Sequence, residues 1–226
     1  MSSRITPLRL ESFERLPKHA RRCVFWEVDP SALGDSDHLS DPEFEKEAWL
    51  SMVMLEWGSC GQVAVRDGKP LGSALYAPPR MIPRAQLFPT SPVSSDAVLL
   101  TSLRLEPSGI EEELGPSLLA AVVTDLVRRG VRALEAFGIR SDDLGPASDV
   151  ASATAALECS PAECMISAEF LEDYGFEVVA PHHRYPRLRL ELNRDHEWKV
   201  DVEEALDRLL KAAALEMVEI SELARV

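Results

Sequence analysis

Along this chain the spacing of apolar residues switches between periods of two and of three to four, and the switches divide it into strands and helices. Ile5, Pro7, Leu8 and Leu10 alternate with polar neighbours, which predicts a short edge strand, since a proline needs a place where no ladder donor is required. A short helix is expected from His19 to Cys23. From Pro42 onward, Phe44, Ala48, Trp49, Met52 and Val53 have helical spacing, acids crowd the first turn, and Gly58 ends the run. Gly61 to Tyr76 holds two alternating runs around Asp67-Gly68, a strong hairpin signal. The central stretch then reads as a strand (Ala97 to Leu105), a turn, a helix (about Pro116 to Arg129), a stop at Gly130 and a second strand (Val131 to Phe137). Later, Ile166, Phe170, Leu171 and Tyr174 predict a helix closed by Gly175. Leu188, Leu190 and Leu192 alternate with charged residues as a final strand.

The intervening segments are polar or broken. Residues 31–41, rich in Ser, Asp and Gly, read as a loop, and residues 141–158, rich in Ser, Asp and Ala, as a loop or a weak helix. Residues 78–95 carry five prolines, which predicts either a pocket-covering loop or an irregular surface insertion. In the tail, Trp198, Val202, Leu206, Leu209 and Ala213 fall on one helical face, which must be covered by the same domain, a second copy or another protein through 198–214. The expected organisation is therefore a domain over 1–193 and a helical appendage over 194–226.

Composition narrows the function. With 38 acidic against 24 basic residues and a net charge of −14, the chain lacks the cationic surplus that drives binding to nucleic acid or anionic membranes. No apolar run approaches the ~18 residues of a spanning helix, and the start has no signal-peptide pattern, so a cytoplasmic location is expected. The four cysteines are too scattered for a disulfide framework. Cys159 and Cys164 lack zinc-knuckle spacing, and no metal site is expected.

Candidate chemistry begins at the turn Glu106 to Gly115, because a strand end feeding a helix N-terminus can present amide groups and a dipole to a phosphate. Trp26 and Glu27, in the dense run CVFWEVDP, are read as core or as a pocket wall suited to an amine. A base that deprotonates an amine is sought among Glu27, Glu56 and Glu135. Glu135 is preferred because the apolar strand VRALEAF would desolvate it, and a salt bridge to an arginine is its plainer role. His182 and His183 read as surface loop residues.

The segments LGPSLLAAVVTDLVRRGVRALEAFG and FLEDYGFE, in this order after a D-G hairpin, resemble the GNAT superfamily of acyl-CoA-dependent N-acyltransferases over roughly Arg4 to Leu192. CVFWEVDP, WLSMVMLEWGSCG and PHHRYPRLRLEL are similar to an actinobacterial subgroup of it. The resemblance implies an α/β (α+β) fold with a mixed, splayed β-sheet and helices on both faces. It also implies acetyl-CoA as cosubstrate, lying in the splay, and an amine acceptor on a small molecule or a protein. The backbone at Leu103 and Leu105, the loop Ile110, Glu111, Glu112, Glu113, Leu114 and Gly115, and Cys164 would contact the cofactor. The family loop runs Q/R-x-x-G-x-G/A, and of its glycines only Gly115 stands here. The late-helix Asn and Tyr of many members correspond to Cys164 and Leu171, so that general acid is not carried over. The alternative is a GNAT-fold protein with weak or lost acyl-CoA binding that acts as a non-catalytic interaction or regulatory module.

Overall fold

The computed structural model describes residues 3–29, 41–140 and 161–192; the loops expected at 31–40 and 141–158 and the tail helix lie outside them. The chain divides into two compact units, Met1–Glu191 and Leu192–Val226, and the description below concerns the first.

Eight strands form one sheet: β1 (Arg4–Pro7), β2 (Gly61–Arg66), β3 (Lys69–Ala77), β4 (Ala97–Leu105), β5 (Ala133–Ile139), β6 (Ile166–Ser167), β7 (Glu177–Ala180) and β8 (Arg187–Glu191). Their spatial order is β1-β2-β3-β4-β5-β8-β7, with β6 attached to β5. Neighbours are antiparallel except at β4–β5 and β5–β6. The hairpin β2–β3 turns at Asp67 and Gly68, both with positive φ, as a D-G step favours.

Six helices accompany the sheet among the described residues: α1 (Lys18–Arg22), α2 (Pro42–Glu56), α3 (Pro107–Glu111), α4 (Leu114–Arg128), α5 (Pro161–Cys164) and α6 (Ala168–Asp173). The Asp41 carboxylate caps α2 by accepting from the amides of Glu43 and Phe44. Gly130, at φ +72°, ends α4, and the Val131 amide turns back to the Leu126 carbonyl. Val63 faces the larger core and Ala64 the smaller one, so the two sides of β2 are covered by different helices. Leu114 and Leu118 of α4 supply the smaller core; Trp49, Leu50 and Val53 of α2 join the larger. This is the mixed sheet with helices on both faces that the resemblance implies.

Three local expectations are corrected. Residues 78–95 are neither a cover nor a surface insertion: Met81, Ile82, Ala85 and Phe88 are buried in the main core, reached through two 3-10 turns at Pro79–Met81 and Pro83–Leu87. The buried face of α2 is rotated from the expected one, with Lys46, Trp49, Leu50 and Val53 inside and Phe44 left 64% exposed. Ile166 and Ser167 are drawn out of the expected late helix into a parallel pairing with Gly138 and Ile139.

Candidate active-site cleft

The parallel pair β4–β5 is the joint of the sheet. Its register runs Ala97↔Ala133, Val98↔Leu134 and Leu99↔Glu135, and stops there. Beyond it β4 stays with β3 as far as Leu105, while β5 follows β8 to Phe137. The two strands part, and from Leu100 onward β4 has a strand neighbour on one side only. A backbone edge left this way holds unpaired donors and acceptors in extended conformation, ready for a chain-like partner.

At the far end of β4 the chain turns through α3 into α4. Glu112 has φ −91° and ψ 3°, and Glu113, the residue before α4, has φ 52° and ψ 41°. This right-handed then left-handed succession turns the chain into α4, and the Glu113 amide is spent on the Ile110 carbonyl at 3.0 Å. The first turn of α4 has no side-chain cap and Pro116 has no N–H, so the amides of Leu114 and Gly115 and the positive end of the dipole remain uncommitted to protein side chains. Left-handed backbone explains why a glycine suits the place of Glu113: a β-carbon there costs about 1–2 kcal/mol. Here the conformation survives without the glycine. Three contacts with the hairpin impose it. The Glu106 amide donates to the Leu71 carbonyl at 2.8 Å, Gly109 lies so close over that carbonyl that a β-carbon would clash, and Arg66 pairs with Glu112. Glu112 is thereby charge-balanced, and Glu111 and Glu113 are exposed, as is Ile110. Gly115 sits under the Phe170 ring of α6, 3.3 Å from where its β-carbon would be.

The other expected contacts lie deeper. Ser102, Leu103 and Arg104 of β4 face His19, Cys23, Lys46, Cys164 and Met165 around a partly open cavity of about 30 Å³, room for about one water. Arg104 donates across the opening to the Glu163 carbonyl at 2.6 Å. Trp26 Nε1 donates to the Cys164 carbonyl at 3.3 Å, and the Cys23 and Cys164 sulfurs are 3.4 Å apart. Leu103 and Leu105 both pack with the α4 side of the sheet. Leu103 and Cys164 thus meet at this small cavity, and none of Ile110 to Gly115 lines it.

The carboxylates are placed differently. Glu135 is fully buried, paired with Arg187 and with Arg189 (3.2 Å), and its carboxylate accepts from the Ser94 amide at 3.2 Å. Both arginines come from β8, whose register sets Arg189 opposite Glu135. Glu135 is thus a clamp of the β5–β8 pair, with its oxygens occupied, and it is not poised as a base; the ion-pair role holds. Glu27 is buried against Lys46, with Nζ 2.5 Å from its carboxylate. Burial pushes the Glu27 pKa up, and the ammonium only partly opposes this. Glu56 is exposed at the end of α2. His182 and His183 lie in the loop between β7 and β8, as expected, and the His182 imidazole braces it by accepting the Arg184 and Tyr185 amides at 3.1 and 2.9 Å through Nδ1. Sequence reasoning missed Lys46, whose charge contradicts a buried face, and His19, whose partners are remote in sequence.

No protein-family model matches the sequence, and no curated protein matches it. Solved structures do. SsHAT aligns with a TM-score of 0.50 and 16% identity over 86% of this chain and 100% of its own. The PaiA N-acetyltransferase of Thermoplasma acidophilum, solved in complex with coenzyme A, aligns at 0.49 and 16% identity over 84% and 99%. An N-acetyltransferase of Staphylococcus aureus Mu50 aligns at 0.49 and 14% over 85% and 100%. With the splayed β4–β5 joint and the sheet order described above, the fold is the GNAT fold. Among the described residues no helix is long and apolar enough to cross a membrane.

Proposed function

We propose that this GNAT-fold chain is an N-acyltransferase that takes acetyl-CoA and passes the acetyl group to an amine of a small molecule or a protein. The observation that carries the proposal is the parting of β4 from β5 beyond Leu99, which leaves an unpaired β4 edge leading to the uncapped amides of Leu114 and Gly115 at the start of α4. The pyrophosphate would meet the first-turn amides of α4, and the amide groups of the pantetheine arm would meet the β4 backbone around Leu103 and Leu105. No carboxylate is assigned the amine's proton, since Glu135 and Glu27 are ion-paired and Glu56 is outside.

The departures from the family loop weaken this binding without abolishing it. Glu112 is neutralised by Arg66, which leaves two exposed acids near the approaching phosphates. Calorimetric titration of the full chain with acetyl-CoA is expected to give a dissociation constant on the order of 100 μM, equivalent to about 5.5 kcal/mol. Glu113→Gly removes one of these charges and a β-carbon, and a gain of about 1–2 kcal/mol, or roughly five- to thirty-fold, is expected. If neither protein takes up acetyl-CoA, the acyltransferase reading fails and a non-catalytic role for the fold replaces it.

A further inference from the structure

His19 lies on α1 and Cys23 caps its end four residues on, its amide donating to the His19 carbonyl at 2.8 Å, so the two side chains leave one side of the helix. Cys164 reaches the same point from α5. The three ligand atoms all lie within 4.8 Å of one another, with Cys23 Sγ to Cys164 Sγ at 3.4 Å and His19 Nε2 to Cys164 Sγ at 3.8 Å. A tetrahedral zinc with Zn–S near 2.3 Å and Zn–N near 2.05 Å sets its ligand atoms about 3.8 Å (S to S) and about 3.5 Å (N to S) apart. The observed edges match these within a few tenths of an ångström. The third needs at most a modest swing of His19, which is only half-buried.

The surroundings favour an ion there. The cluster walls the 30 Å³ cavity beside Ser102 and Leu103, which has the size for an ion and one water and for little more. Two thiols and an imidazole select a zinc-class ion over magnesium or calcium, which prefer oxygen.

We infer that His19, Cys23 and Cys164 form a three-ligand site for a zinc-class divalent ion, with its fourth position turned to the cavity. Binding exchanges protons for metal: each thiol loses its proton as its sulfur bonds the ion, and the neutral imidazole donates a lone pair. One dication and two thiolates leave the site's net charge unchanged and release two protons. The sequence hides the site because Cys23 and Cys164 are 141 positions apart. The inference is independent of the acyltransferase reading, and its test uses no acetyl-CoA.

The full chain, reduced and stripped with a chelator, is titrated with cobalt(II) and then with zinc. The expected result is one equivalent of cobalt, a thiolate-to-cobalt charge-transfer band with tetrahedral ligand-field bands, displacement by zinc, and release of about two protons per zinc in calorimetry across buffers of different ionisation enthalpy. Cys23→Ser and Cys164→Ser should abolish the charge-transfer band, and His19→Ala should weaken affinity by at least about tenfold. Cys60→Ala, at a thiol outside the cluster, should leave the spectrum unchanged. Should a cysteine variant not fold, His19→Ala and the zinc-dependent rise in the wild-type melting temperature carry the test. The inference is overturned if the reduced chain shows no thiolate band, if the band survives in both cysteine variants, or if Cys23 and Cys164 form a disulfide and the re-reduced chain takes up no metal.

Discussion

Glu113 offers a measurement in which backbone conformation can be separated from charge. Its φ of 52° places a β-branch-free but β-carbon-bearing residue in the left-handed region, at a cost of about 1–2 kcal/mol relative to glycine. Replacing it with glycine also enlarges the freedom of the unfolded chain, which costs about 0.4–1 kcal/mol, and removes a carboxylate that favours the start of a helix by about 0.3–1 kcal/mol. Comparison of Glu113→Ala with Glu113→Gly cancels the charge, since both variants lose it. The remaining difference is the relief of the left-handed β-carbon less the unfolded-state term. Glycine should be the more stable by about 0.5–1 kcal/mol, the reverse of the usual order inside or beside a helix. For a chain of this size this is about 1–4 °C in melting temperature, read by calorimetry on the two variants side by side. If alanine equals or exceeds glycine, the left-handed turn is absent in solution.

Three further outcomes are expected. Glu135→Ala strands two arginines at the β5–β8 pair and should cost about 3–5 kcal/mol in denaturant unfolding, with Glu135→Gln intermediate; a near-neutral alanine variant would mean the clamp is dispensable. Gly109→Ala drives a β-carbon into the Leu71 carbonyl, so a loss of about 1–3 kcal/mol is expected, and an unchanged midpoint would contradict the close approach. His182 accepts two amides as a neutral ring, and burial and the His183 charge lower its pKa from 6.5. The unfolded chain therefore takes up the proton first, and this contribution to stability is complete above pH 6.5 and declines as pH falls below it. His182→Asn should flatten that slope, and an identical pH profile would refute the assignment.

The elements with one clear period were readable from the sequence. The D-G hairpin, β4 and the Gly130 stop fall where apolar spacing and turn chemistry put them, because local propensity and the tertiary fold agree there. Errors arose where a distant partner decided. Lys46 is drawn inside by Glu27, which rotates the buried face of α2, and Ile166 pairs with Gly138 of β5, where the missing β-carbon admits Ala168 and Leu188. Proline-broken 78–95 looked peripheral because backbone irregularity was read as exposure, yet its Met81, Ile82 and Phe88 fill the core. The turn from β4 into α4 lies where the sequence puts it, and its glycine-poor letters concealed the left-handed backbone at Glu113. The Glu135 clamp and the cluster at Cys164 depend on strand register and on chain segments far apart, which no single spacing encodes.

The loop between β4 and α4 is fastened to the hairpin at Leu71 and Arg66, by an amide, a bare glycine and an ion pair. A free loop of this kind surrenders about 1–2 kcal/mol of backbone entropy per residue when a ligand orders it. Here that ordering is completed when the domain folds, so the acyl-CoA binding proposed above would be closer to rigid docking than to coupled folding. It also turns β2–β3 into a strut. Changes at Arg66 or Leu71, which belong to the hairpin and not to the loop, should then be felt as altered occupancy of the cleft.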